Sequence, residues 1–245
     1  MNNERVQFLG SAEQLQKRRI SEATNSFYRI YRHGNTLRFP YYNESGQVVG
    51  FKIKTKSKDF HYEGASSDQL FGQHLFPTSG KRIVITEGEL DAASCYEVMS
   101  GWPMVSLPHG AAAAKKDLQK AIPFLQGYQE IVLFFDNDDA GREAVESASS
   151  ILPAGRVKIA RLDAYKDASD ALQADDKDAI RRAIWDAKPY RPDGIVDGKN
   201  LMSLVTEPTK TCDHEYPFMG LNNKLHGIRY GELTTLTAGS GSGKT

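Results

Sequence analysis

Cysteine is nearly absent. Cys95 and Cys212 are the only two in 245 residues, far apart and without Cys-x-x-Cys spacing. Neither a disulfide framework nor a zinc ribbon can be assembled from such a pair, so no zinc is expected in this chain. Long apolar runs are missing too: no stretch approaches the ~18 consecutive apolar residues of a membrane-spanning helix. The opening Met1-Asn-Asn-Glu-Arg5 lacks the basic and then apolar pattern of a signal peptide. A soluble, cytoplasmic protein with no membrane partner is expected. Net charge is missing as well, since 31 Lys+Arg balance 31 Asp+Glu.

That balance hides a segregation. Between Lys17 and Arg38 lie six bases (Lys17, Arg18, Arg19, Arg29, Arg32, Arg38) and one acid, Glu22; from Glu130 to Ile180 there are twelve acids and six bases. A basic amino-terminal lobe suits a phosphate backbone, and an acidic lobe suits divalent cations.

The acids are placed, not scattered. Ile83-Val-Ile-Thr-Glu87-Gly-Glu-Leu-Asp91 and Ile131-Val-Leu-Phe-Phe-Asp136-Asn-Asp138-Asp139-Ala-Gly-Arg142 each run from an apolar stretch straight into carboxylates. Such stretches read as buried parallel strands, which sets Glu87, Asp136 and Asp138 on the carboxyl edge of one sheet, where open α/β folds bind ligands. Three acids there repel unless a cation lies between them, and all-oxygen ligands suit magnesium or manganese. A Glu-Gly turn or an Asp-rich loop is ordinary surface when met alone. Both together, each in a strand-turn-helix context, point to metal-assisted phosphoryl transfer.

From Lys81 onward strands and helices alternate: strands at Ile83 to Thr86, Met104 to Leu107, Ile131 to Phe135 and Val157 to Leu162, and helices at roughly Leu90 to Met99, Ala112 to Ile122, Ala140 to Ile151 and Lys177 to Ala187. The spacing predicts an α/β fold, a parallel sheet flanked by helices on both faces. Ahead of it, Gln7 to Tyr31 reads as mostly helical and residues 36 to 62 as an antiparallel hairpin region, a small α+β subdomain. In Phe51-Lys-Ile-Lys-Thr-Lys-Ser-Lys58, a two-residue period turns Lys52, Lys54, Lys56 and Lys58 to one face. That face reads as a contact for nucleic acid or nucleotide, with Phe60, His61 and Tyr62 available to stack on bases. The competing reading is an edge strand guarded by lysines. His109 follows the second strand of the parallel sheet, as a hydrogen-bonding partner or a catalyst. Lys115 and Lys116 open the next helix, as template or triphosphate contacts or as a solvated face.

At these residues the sequence resembles the Toprim domain shared by primases, topoisomerases and some nucleases, and within it the fused primase-helicases of T-odd bacteriophages and their mitochondrial relative. Val105-Ser-Leu-Pro-His109-Gly and Leu152-Pro-Ala-Gly155 resemble that family's connecting segments, and the likeness runs from about Leu37 to the last residue. The resemblance implies that Glu87, Asp136 and Asp138 are catalytic and bind metal, that Asp91 and Asp167 are further metal acids, and that Asp170 helps with a second ion. It implies ribonucleoside triphosphates as substrates, single-stranded DNA as template and an RNA primer as product. It further implies a DNA polymerase as partner, a hexamer formed through a helicase domain with a monomer expected for this stretch alone, and residence in the host cytoplasm.

The expected layout is a basic subdomain at 1–80, a Toprim domain at 81–187, a linker at 188–215 and the start of a RecA-like domain at 216–245. In the linker Leu201, Met202, Leu204 and Val205 offer a short apolar contact. The last stretch ends in Ala238-Gly-Ser240-Gly241-Ser242-Gly243-Lys244-Thr245, a phosphate-binding loop in which backbone amides cradle phosphates, the lysine reaches the β and γ groups and the threonine holds magnesium. With no Walker B acid after it, the chain is not expected to hydrolyse ATP. Primer synthesis is the expected function. The alternative is a non-catalytic Toprim scaffold for a hexameric helicase. A topoisomerase would need a tyrosine on another large domain, and a plain single-strand binding module would leave the acids unexplained.

Overall fold

The computed structural model describes residues 8–57, 59–65, 68–191, 198, 202, 205–206, 212–233, 235 and 237–242. The chain divides after residue 191 into a large unit and a small carboxyl-terminal one.

The large unit begins with a single 3-10 turn at Gln16–Arg18 and helix α1 at Glu22–Tyr28. Helix α1 cannot start earlier, because Ser21 is its extended N-cap, accepting a hydrogen bond from the Thr24 amide. Residues ahead of it pair instead, through the bridges Ser11 with Arg32 and Leu15 with Ile20. The mostly helical reading of Gln7 to Tyr31 is therefore corrected to one short helix. Four antiparallel strands follow in the order β1 (Tyr31–His33), β2 (Thr36–Tyr42), β3 (Val48–Lys54) and β4 (Phe60–Gly64). Pro40 is tolerated in β2 because β1 pairs only with residues 36 to 38, so beyond them β2 has a neighbour on one side alone.

The second sheet is assembled from β5 (Gly80–Thr86), α2 (Glu89–Val98), β6 (Met104–Ser106), α3 (Ala114–Leu125), β7 (Tyr128–Phe134), α4 (Asp139–Ser149), β8 (Val157–Ile159), α5 (Ala168–Gln173), α6 (Lys177–Trp185) and β9 (Lys188–Pro189). Strand order is β6-β5-β7-β8-β9, parallel except for β9. The alternation expected from sequence is present. Two elements were not anticipated: α5, and the antiparallel β9, which carries the sheet past residue 187.

Alternate strand residues feed two cores. Val84 and Val132 pack with Leu90 and Ala93 of α2, Leu172 of α5 and Ile184 of α6, together with Tyr28, Phe39 and Tyr41 of the first sheet's side. Ile83, Ile85, Ile131 and Leu133 pack with Leu118 and Leu125 of α3 and Val145 of α4. The period of two in each strand puts helices on both faces. From β5 the chain moves to β6 on one side, and from β7 it moves to β8 on the other. The switch point therefore falls between β5 and β7, and the crevice at their carboxyl ends is where such sheets bind ligands.

A buried ion pair joins the two sheets. The ammonium of Lys52 on β3 lies 2.7 Å from Glu89 Oε1 in the first turn of α2, and it donates to the Pro108 carbonyl at 2.9 Å. The Tyr41 hydroxyl donates to the same Glu89 oxygen at 2.6 Å. Lys52→Met strands the Glu89 carboxylate in the interior and is expected to cost about 3 kcal/mol, whereas Lys52→Met combined with Glu89→Leu should recover most of the loss. Urea midpoints of the single and double variants check this; additive losses would contradict the coupling.

In the small unit a helix spans Met219–Leu225, and His214 bridges Ile228. Among the described residues no helix is long and apolar enough to cross a membrane.

Candidate metal centre and cleft

Two close approaches explain why the acid motifs carry glycine. A Cβ on Gly88 would lie 2.8 Å from Asp91 Oδ2, and one on Gly141 would lie 2.0 Å from the Asp136 carbonyl oxygen. Glycine at these positions lets the chain after β5 fold back over Asp91 and lets α4 start against the end of β7.

The carboxylates converge from the first turn of α2, the segment after β7 and the N-cap of α5. Oxygens of Asp91, Asp136 and Asp167 all lie within 4.8 Å of one another. Asp91 Oδ1 accepts from the Ser169 amide at 3.0 Å. Asp167 caps α5, accepting from the Asp170 amide at 2.7 Å, and Asp138 caps α4, accepting from the Gly141 amide at 2.9 Å. Lys166 Nζ sits 3.1 Å from Asp136 Oδ2 and 3.2 Å from Asp138 Oδ2. Glu87 Oε1 accepts from the Ala111 amide at 3.4 Å, while its Oε2 is buried and has no hydrogen-bond partner among the described residues.

The electrostatics follow from this crowding. Burial, then Asp136, pushes the Glu87 carboxyl above its ordinary value. Burial, then Asp167 and Asp136, pushes Asp91 well above. Asp136 is raised by burial against the opposing pull of Lys166, and Asp138 is lowered, chiefly by the Gly141 amide. The two aspartates in turn raise the Lys166 ammonium. An orphaned buried carboxylate oxygen beside three clustered carboxylates, all oxygen donors, fits a hard divalent cation.

Glu87, Asp91 and Asp136 line a cleft of about 370 Å³ together with Lys52, Phe60, Tyr62 and His109. The Tyr62 hydroxyl donates to the Pro108 carbonyl at 2.8 Å. His109 Nδ1 is 2.9 Å from buried Asp117 Oδ1, and its ring centroid is 5.9 Å from that of Tyr62. A larger groove, about 760 Å³, lies between β8 and α6 and contains none of the anticipated site residues.

The four-lysine face is corrected. Lys52 is buried against Glu89, Lys54 is half-buried at the end of β3, Lys56 is exposed in the following turn, and Lys58 lies outside the described residues. The guarded-edge alternative fails too: β3 is central, and the exposed edge is β4. Asp170 is exposed, and Lys115 and Lys116 are exposed on α3 and do not line the cleft. Ser240, Gly241 and Ser242 form an exposed turn, while Gly243, Lys244, Thr245, Leu201 and Leu204 lie outside the described residues. Sequence reasoning passed over Glu89, although it stands inside the first quoted acid motif, and the pairing role of Lys166, which directly precedes Asp167.

Residues 84–172 match the family model described as Toprim-like. The chain is 41% identical over 212 residues to the DNA helicase/primase of Enterobacteria phage T3, covering 84% of this chain and 37% of that protein. The primase fragment of the bacteriophage T7 primase-helicase superposes with a TM-score of 0.68 at 36% identity, covering 72% of this chain and 75% of that one. T7 primase domains solved with an RNA/DNA hybrid and lagging-strand DNA polymerase give a TM-score of 0.67 at 35% identity, covering 74% and 93%. The chain belongs to the Toprim primases of the phage primase-helicase family. It spans 37% and 32% of the lengths of the first two curated relatives it matches.

Metal-free, the cluster has a predictable pH dependence. Glu87, Asp91 and Asp136 have raised folded-state pKa values, so at these three positions the folded chain binds more protons than the unfolded one. Their contribution to stability is most favourable below the ordinary carboxylate range and is lost as pH rises through the raised values. Asp91→Asn keeps the oxygen that faces Ser169 and removes a charge. In a chelator it should be more stable than the parent chain at neutral pH, with the gap closing in mildly acidic buffer. Urea midpoints at both pH values check this, and a pH-independent gap would refute it.

Proposed function

We propose that the chain is the RNA-primer-synthesising part of a replicative primase-helicase: a ribonucleotide 3′-hydroxyl attacks the α-phosphate of the next ribonucleoside triphosphate, directed by single-stranded DNA, and pyrophosphate leaves. The observation that carries this reading is the Asp91, Asp136 and Asp167 cluster, with the orphaned Glu87 oxygen beside it, at the switch point of the parallel sheet. Asp91, Asp136 and Asp167 would hold magnesium or manganese, with Glu87 and Asp138 alongside. The ion, when bound, supplies charge neutralisation at the triphosphate and acidification of the attacking hydroxyl.

The chain's own groups do the rest. Glu87, its carboxyl kept basic by burial and by its acidic neighbours, is placed to accept the hydroxyl proton. Phe60 and Tyr62, exposed on β4, offer rings to stack on a base. Lys54 supplies positive charge near Asp91 and Glu89, and Lys56, exposed in the turn after β3, supplies it for the template. Lys52 acts by holding the Pro108 carbonyl and Glu89, which fixes the loop carrying His109. Within the parent protein the layout would be a basic subdomain, a Toprim domain, a linker and a RecA-like motor whose phosphate loop begins at residues 238–245. Hexamer formation and engagement of a DNA polymerase would belong to that whole, in the cytoplasm of a phage-infected host.

Primer extension tests this: the chain with single-stranded DNA, a diribonucleotide starter, labelled ribonucleotides and magnesium or manganese. Template-dependent extension is expected, falling about 100-fold or more in Glu87→Gln and in Asp136→Asn with the fold intact. The scaffold reading draws on the capping roles of Asp138 and Asp167, which give those acids a structural use. Absence of extension together with absence of metal binding would establish it.

A further inference from the structure

Among the described residues, Lys166 is the one cation ion-paired to the acid cluster, and its position is unusual for a neutralising side chain. A single ammonium bridges one oxygen from each of two carboxylates, at 3.1 and 3.2 Å, which is the place a shared cation would take. Lys166 and Asp167 are consecutive, and both reach Asp136. Asp167 joins Asp91 and Asp136 on the inner side, while Lys166 meets Asp136 and Asp138 on the outer.

The loop does not depend on that ammonium for its shape. The Lys166 carbonyl accepts from the Asn137 amide at 2.8 Å, the Asn137 side chain donates to the Leu162 carbonyl at 3.0 Å, and Asp167 caps α5. The lysine side chain is 54% exposed, so its flexible stem can swing into water without opening a void. At equal distance a divalent ion is attracted twice as strongly as an ammonium.

We propose that Lys166 is a tethered monovalent cation occupying the outer, Asp136 and Asp138 side of the cluster. The inner side loads a divalent ion first, and a second ion enters the outer side only by displacing Lys166. The lysine thereby sets the order and the spacing of metal affinities, and it limits the charge repulsion of the cluster while the outer position awaits its ion. This rests on the metal-centre reading given above.

Manganese binding, followed by the electron paramagnetic resonance signal of the unbound ion, tests it on the 245-residue chain, Lys166→Gln and Lys166→Arg, each checked by circular dichroism. The parent chain should show a tight and a weak class of ion. Lys166→Gln should tighten the weak class about ten-fold, the scale of two partly exposed ion pairs, and leave the tight class unchanged. Lys166→Arg should keep the weak class weak. A weak class unchanged or further weakened in Lys166→Gln overturns the proposal and leaves the metal centre standing. No manganese bound by the parent chain overturns the metal centre itself.

Discussion

Carboxylates held within 4.8 Å of one another repel, and the surrounding fold is arranged to bear that repulsion. Each acid arrives on a different segment, Asp91 on the first turn of α2, Asp136 after β7 and Asp167 at the start of α5, and each segment is tied down by something other than the acid's charge. Hydrophobic packing on both sheet faces fixes β5 and β7 so firmly that Glu87 and Asp136 have nowhere else to go. Two helix N-termini then offset part of the charge, since Asp138 and Asp167 each cap a helix and face its positive end. A site that stores unfavourable charge in this way gains most from a cation.

The antiparallel sheet contributes from the other wall. Its strands would be a marginal structure alone, but Phe39 and Tyr41 share a core with α2, and Lys52 is anchored on Glu89. Glu89 follows Glu87 by two residues, so the anchoring point of the first lobe and the acid of the second lie on one short stretch of chain. Strands β3 and β4 are thus tied to the start of α2, and Tyr62 and His109 line the cleft with the acids, held by the shared Pro108 carbonyl and its loop.

Much of this was legible before the structure. Apolar runs ending in acid give the strands and their order of use, because a buried parallel strand has to end where the chain meets water. The placement of Asp91 and Asp167 was not legible from the residues. Asp91 and Ser169 meet across 78 positions, and only the family resemblance linked them. The lysine-bearing strand misled for a definable reason: a period of two tells which residues share a face and says nothing about what covers it. Glu89 covers Lys52, and the strand ends at Lys54, so four lysines never line up. Strand β9 has two residues and no periodicity to detect.

The two readings of the acids, structural and catalytic, are reconciled by asking which oxygens each use consumes. Capping takes Oδ1 of Asp138 and of Asp167, and the Ser169 amide takes Oδ1 of Asp91. The second oxygen of Asp138 meets Lys166, and Glu87 keeps one that is buried and unpartnered among the described residues. A scaffold would need only the first set, and an isosteric amide would serve it as well without the repulsion. Retaining full carboxylates, with their pKa values driven up by burial and by each other at Glu87, Asp91 and Asp136, costs stability that capping does not repay. Oxygens of Asp91, Asp136 and Asp167 still lie within 4.8 Å of one another, a spacing that suits a divalent cation.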